Sequence, residues 1–225
     1  MTPGRCPLCA APSHLLVQEE PRTFYRCGQC ALIFVDPATH LDPAAERARY
    51  DLHENDSTDP GYRGFLDRLA RPLLARLEPG MRGLDYGCGP GPTLSRMLQE
   101  AGMIMDIYDP YYAPDPDVLG KQYDFATCTE VVEHFRDPAR DWSQLTVLLK
   151  PGGWLGVMTQ LAPPPESFLQ WRYRQDPTHV SFYSLATFGW IADRFGFAME
   201  QVRSDVVVLH KNGTVHNDAA DGGAM

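Results

Sequence analysis

Apolar positions change period along the chain, and those changes divide it. Leu15–Gln18 and Thr23–Arg26 alternate around a polar Glu19–Arg22 turn, predicting a hairpin, and Ala31–Val35 predicts a third short strand. Residues 37–61 are polar, with a short helix predicted around Ala44–Tyr50 and a turn at Asp59-Pro60-Gly61. From Phe65 to Leu77 leucines recur at helical spacing, with Pro72 a predicted kink or break. Strands and helices then alternate. Strands are predicted at Gly83–Tyr86, Met103–Tyr108, Tyr123–Thr129 and Trp154–Thr159, closing with Phe197–Val202 and Asp205–His210. Helical faces are marked by Leu94, Met97 and Leu98; by Trp142, Leu145 and Leu148 behind an Asp137-Pro138 start; and by Leu185, Phe188 and Ala192 behind Ser184. This alternation predicts an α/β fold with a doubly wound, mostly parallel sheet.

Four of the six cysteines fall in the first segment. Cys6, Cys9, Cys27 and Cys30 read C-x2-C, seventeen residues, C-x2-C, the spacing of a tetrahedral four-thiolate zinc site with no open position. His14 lies inside the intervening loop and is expected to be exposed. The predicted organisation is a zinc ribbon over 1–36, a linker with a short helix over 37–61, an α/β domain over 62–210 and a disordered tail over 211–225. A ribbon this small needs its metal to fold, and it is expected to keep a core separate from that of the larger domain.

Composition narrows the function. Twenty Lys and Arg against 29 Asp and Glu leave a net charge of -9, which argues against a nucleic-acid partner, since such binders displace counterions with a basic surface. No run of apolar residues is long enough to cross a membrane and the first ten residues lack a secretory layout, so the expected compartment is the cytoplasm.

The candidate chemistry lies after the first α/β strand. Leu84-Asp85-Tyr86-Gly87-Cys88-Gly89-Pro90-Gly91 sets three glycines on alternate positions ahead of a helix, so backbone amides can approach a ligand closely. The spacing is G-x-G-x-G, not the dinucleotide G-x-G-x-x-G. The second strand ends at Asp109, where a carboxylate can accept from a ribose diol. With these two features, TEVVEHF (129–135) and LLKPGGWLGVMT (148–159) complete four motifs in order. Over residues 62–210 the chain resembles the class I S-adenosylmethionine-dependent methyltransferases, specifically the bacterial group with an N-terminal CxxC…CxxC module and a DPTHVSFYS-like segment (176–184).

That resemblance implies that Asp85, Gly87, Gly89 and Gly91 hold the methionine end of the cofactor, Asp109 its ribose, and that Thr129 and Glu130 line the pocket beside the methyl group. Cys88 is then a small loop residue and Cys128 a buried apolar one. Only about fifteen residues, including three prolines, separate Asp109 from Phe125. The helix and third strand usual in the family must be shortened there, which leaves Tyr111 or Tyr112 to cover the adenine.

For the acceptor side, two histidines compete as general base. His134 lies in the turn after the third predicted strand. His179 lies in a long Pro-bounded excursion with Phe168, Trp171, Tyr173, Phe182 and Tyr183, and is expected to lie nearer the acceptor. These aromatics serve as pocket or as packing, with packing expected for Phe182, and Arg172 and Arg174 are expected to be solvated. Tyr50 and His53 are candidates for a flap over the cofactor. The expected partner is a small-molecule methyl acceptor; an RNA methyltransferase and a non-catalytic partner platform are the alternatives, the first opposed by the charge and the second by the intact Gly87, Gly89, Gly91 and Asp109.

Overall fold

The computed structural model describes residues 4–52 and 56–213. Two sheets organise it. The larger has the order β5-β4-β6-β7-β10-β9, built from β4 (Arg82–Tyr86), β5 (Ile104–Tyr108), β6 (Tyr123–Thr129), β7 (Leu149–Met158), β9 (Phe197–Arg203) and β10 (Val206–Lys211). Strands β5, β4, β6 and β7 run parallel, whereas β10 is antiparallel to both β7 and β9. This is the doubly wound, mostly parallel sheet expected. The segment between β5 and β6 holds a five-residue 3-10 helix, Pro116–Gly120, in place of a full helix and strand.

Side-chain alternation sends each strand's residues to two apolar layers. On one face α2 (Pro60–Leu74) and α3 (Thr93–Glu100) bury Leu66, Leu69, Leu73, Leu94 and Leu98 against Phe125, Met158 and Val206. Gly156 allows this packing, since a Cβ there would stand 2.9 Å from Leu69. On the other face α4 (Pro138–Leu148) and α5 (Leu185–Phe195) bury Trp142, Leu145, Phe188 and Ile191 against Ala126, Cys128, Leu155 and Val157. Asp137 and Ser184 cap these two helices as their sequence signatures require.

Several local expectations need correction. Asp59-Pro60-Gly61 is no free-standing turn. Asp59 accepts from the Gly61 amide at 2.8 Å and Pro60 takes the first helical position, so the triplet starts α2. Pro72 sits in the last turn of α2 and does not break it. Strand β7 begins at Leu149, straight from α4, and absorbs Pro151-Gly152-Gly153 where the β6–β7 register shifts. Strand β10 includes Lys211, whose Nζ donates to the carbonyls of Thr146 and Leu149 at 2.7 Å; the rest of the proposed tail, from 214, lies outside the described residues.

The smaller sheet contains the predicted hairpin, β1 (Ser13–Glu19) with β2 (Arg22–Cys27), and the predicted β3 (Ile33–Val35). Its fourth strand, β8 (Ser181–Phe182), comes from the far end of the chain and pairs antiparallel with β3. The expectation of separate cores is therefore overturned. Cys6, Leu8, Leu32 and Phe34 share one apolar cluster with Leu84, Trp142 and Tyr183, and Phe24, Ile33 and Val35 share another with Phe168, Val180 and Phe182. The cause is the apolar surface of the three-stranded unit: Leu32, Ile33 and Phe34 are too many for its own small interior and are covered by the main domain. Among the described residues no helix is long and apolar enough to cross a membrane.

Candidate active site

A cleft of about 770 Å³ opens at the carboxyl ends of β4, β5 and β6, under α1 (Pro43–Tyr50) and the start of α2. It collects Asp85, Gly87, Gly89, Gly91, Asp109, Thr129, Glu130, His134 and His179, so residues spread over nearly a hundred positions face one space.

The glycine loop lines its floor. The amides of Gly87 and Cys88 donate to the Tyr108 carbonyl at 2.7 and 3.1 Å, tying the loop to the end of β5. Gly87 adopts φ +81°, and a Cβ there would lie 2.4 Å from the Val131 side chain, so only glycine fits. Asp109, 8% exposed, accepts from the Gly89 amide at 3.0 Å through Oδ2 and from the Tyr111 and Tyr112 amides at 2.8 and 3.1 Å through Oδ1. It thus fixes the loop and the β5 turn together while facing the cleft. Asp85 is buried, accepts from the Thr127 hydroxyl at 2.8 Å, and is pushed up to about 6 by burial.

The cleft's roof involves residues that sequence reasoning passed over. Glu46 on α1 is buried and accepts from Tyr111 Oη at 2.7 Å and Tyr50 Oη at 3.1 Å, and Arg136 pairs with it at 3.2 Å. Tyr112 Oη donates to Asp51 at 2.6 Å. The flap expectation thus finds Tyr50 on the cleft wall, while His53 lies outside the described residues. A Glu46/Tyr50 pair at helical i,i+4 spacing was the available signal, but its partners Tyr111 and Arg136 come from distant segments.

The opposite end is polar and largely buried. Glu130 adopts φ +53°, a left-handed conformation that a non-glycine residue holds only when its surroundings impose it. Its carboxylate accepts from Tyr173 Oη at 3.0 Å, and the same hydroxyl bonds Glu133, a buried residue not singled out from sequence although it stands in the EVVEH run. Burial pushes both carboxyls up, and the charge of Glu133 raises Glu130 further. The Thr129 hydroxyl, buried on the cleft wall, and Glu133 Oε2 have no hydrogen-bond partner among the described residues.

Structure brings the two competing histidines together. Their ring centroids are 4.9 Å apart, with Nδ1 of His134 at 3.1 Å from the Thr178 carbonyl and Nδ1 of His179 at 2.8 Å from the Tyr173 carbonyl. Burial, reinforced by His134, lowers His179 to about 4, and burial also lowers His134. Both shifts favour the neutral imidazole. Of the excursion's other residues, Phe168 and Phe182 are packing, and Arg172 is exposed. Arg174 departs from expectation: it is buried, pairs with Glu19 of the hairpin and donates to the Leu169 carbonyl, because the hairpin folds back over it.

Away from the cleft, Cys6, Cys9, Cys27 and Cys30 bring their sulfurs within 4.8 Å of one another, with Cys6–Cys30 at 3.5 Å and Cys9–Cys27 at 3.3 Å. The Gln29 and Cys30 amides point at Cys27 Sγ at 3.3 and 3.4 Å.

Residues 59–202 match the family model of the methyltransferase domain. The chain belongs to that family. Ubiquinone biosynthesis O-methyltransferase of Bordetella avium is 33% identical over 120 residues, 43% of this chain and 49% of the relative. Its namesake in Nitrosospira multiformis is 30% identical over 166 residues, 63% and 62% of the two chains. The chain spans about half the length, or less, of the first curated relatives it matches. Its fold is shared with magnesium protoporphyrin IX methyltransferase of Synechocystis, solved with bound SAH (TM-score 0.52, 18% identity, covering 75% of this chain and 94% of the other).

Proposed function

We propose that the protein transfers a methyl group from S-adenosylmethionine to a small-molecule acceptor. The observation that carries this reading is the cleft itself, with a glycine cradle and two carboxylates at one end and a buried polar wall at the other. The cradle fits the cofactor. Gly87, where a side chain would strike Val131, leaves backbone free for close approach, with Gly89 and Gly91 completing the loop. Asp85 offers the methionine end an anion, Asp109 has lone-pair capacity left for the ribose, and the unpartnered Thr129 hydroxyl stands with Glu130 on the wall. Tyr111 and Tyr112 cover the adenine in place of the missing third strand.

When bound, S-adenosylmethionine supplies an already activated methyl on a sulfonium. The chain's task is then alignment and exclusion of water. Glu46, Tyr50 and Tyr111 close the roof, and His134 and His179 present uncharged imidazole to the acceptor end. The activity named for the relatives makes oxygen the first acceptor atom to test. The charge of -9 favours a small molecule over RNA. In the ribbon, four cysteines with amide-to-sulfur bonds suit a structural zinc ion, held by Cys6, Cys9, Cys27 and Cys30.

Calorimetric titration with S-adenosylhomocysteine, followed by transfer of labelled methyl to a panel of hydroxylated small molecules, tests the proposal. One saturable site and labelled product are expected. Tight binding of a nicotinamide dinucleotide with no binding of S-adenosylhomocysteine would overturn it.

A further inference from the structure

Three donor groups meet where the acceptor end of the cleft closes. A carbonyl oxygen only accepts, so the contacts of His134 with Thr178 and of His179 with Tyr173 place each ring's proton on Nδ1. Each imidazole is left with an Nε2 lone pair. A histidine oriented through Nδ1 by a backbone carbonyl is the arrangement found in metal ligands, where the outer bond fixes tautomer and ring angle. The third group is Glu133, 1% exposed. Its Oε1 is taken by the Tyr173 hydroxyl and its Oε2 has no hydrogen-bond partner among the described residues. One donor atom from each of Glu133, His134 and His179 lies within 4.8 Å of the other two. A carboxylate oxygen left bare in the interior is costly, and among the described residues no Lys or Arg forms an ion pair with Glu133.

We propose that Glu133, His134 and His179 form a divalent-cation site, distinct from the four-cysteine cluster, at the acceptor end of the cleft. Two imidazole nitrogens and one carboxylate oxygen suit Mn2+, Fe2+, Co2+ or Zn2+ better than Ca2+. Three protein ligands leave coordination positions open, as in catalytic and not structural sites. Both histidines line the cleft, so those positions face the space assigned to the acceptor. If the methyl-transfer reading holds, on which this last step rests, the substrate class narrows to acceptors with an oxygen donor beside the methylated atom.

Manganese separates this site from the ribbon, because four thiolates favour zinc over Mn2+. The zinc-replete full chain is titrated with Mn2+ while electron paramagnetic resonance reads the free ion, and S-adenosylhomocysteine binding is measured on the same sample. One Mn2+ per chain is expected, with affinity at least 10-fold weaker in Glu133→Gln and His179→Ala. Absence of saturable uptake in a chain that binds S-adenosylhomocysteine overturns the metal site and leaves methyl transfer standing. Uptake without S-adenosylhomocysteine binding supports the site and counts against methyl transfer. Uptake unchanged in both variants also overturns the site. If a variant fails to fold, the unaltered chain decides: Mn2+ should broaden the imidazole NMR signals of His134 and His179 and spare those of His14 and His210, and the converse pattern refutes the assignment.

Discussion

The Arg22 guanidinium, carried on the ribbon hairpin, donates to the backbone carbonyl of His179. The same group donates to the carbonyls of Arg174 at 2.7 Å and Asp176 at 3.0 Å, so one side chain from the N-terminal module fixes the backbone of the segment that carries His179. Burial lowers Arg22 to about 10, still charged at neutral pH. Arg22→Ala is expected to lower stability by about 1.5–3 kcal/mol, the range for hydrogen bonds from a charged donor. Affinity for S-adenosylhomocysteine should be unchanged, because Asp85 and Asp109 take no support from this segment. Urea denaturation and calorimetry read the two effects, and an unchanged unfolding midpoint would leave the Arg22 bonds without energetic weight.

Shared cores change what loss of the zinc ion proposed for the four cysteines should do. Cys27→Ser, or chelation, is expected to lower the midpoint of a single cooperative transition, since Leu32 and Phe34 pack in the same cluster as Trp142 and Tyr183. Two resolved transitions in differential scanning calorimetry, the upper one unmoved, would mean that the modules unfold independently.

Asp109→Ala should weaken S-adenosylhomocysteine binding by roughly 10- to 150-fold, the equivalent of a charge-assisted contact worth about 1.5–3 kcal/mol. Part of that loss is organisational, since the carboxylate also holds the Gly89, Tyr111 and Tyr112 amides. Equal affinity in calorimetry would move the ribose site elsewhere.

Asp85 supplies a pH dependence of known sign. Burial, opposed by bonds from Thr127 and Ser95, raises its carboxyl from 3.8 to about 6. A carboxyl raised in the folded state favours folding below its unfolded value, and that contribution is lost as pH rises through about 6. A cationic ligand end reverses the preference by needing the carboxylate. Affinity for S-adenosylmethionine should therefore fall as pH drops through about 6, and Asp85→Asn should bind weakly at every pH with that slope flattened. A wild-type affinity constant from pH 5 to 7.5 would exclude Asp85 from the methionine end.

His179→Ala is expected to leave cofactor affinity unchanged and to lower kcat by roughly 100-fold or more. A change confined to stability, with kcat and KM near wild type, would reduce His179 to a prop for its loop.

Local chemistry made much of this protein legible from its sequence. Strand and helix periods located all six strands of the large sheet, because burying one face imposes a period of two or 3.6. Asp137-Pro138 and Ser184 announced their helices through caps, which need only neighbours in the chain. The C-x2-C pairs and the G-x-G-x-G loop are likewise short-range patterns. Relations that join distant segments were decided only in the folded chain. Strand β8 is two residues long, too short to carry a period, and exists because β3 offers it an edge. Glu46 is an ordinary helix residue until Tyr111 and Arg136 reach it. Glu133, His134 and His179 offer no shared sequence spacing. They meet because β8 and the Asp176–Thr178 turn lay the excursion against the end of β6, with the Val180 amide donating to the Glu133 carbonyl at 2.8 Å. Sequence records what each segment must bury or cap; where two buried polar groups meet is set by packing between segments, which no local pattern encodes.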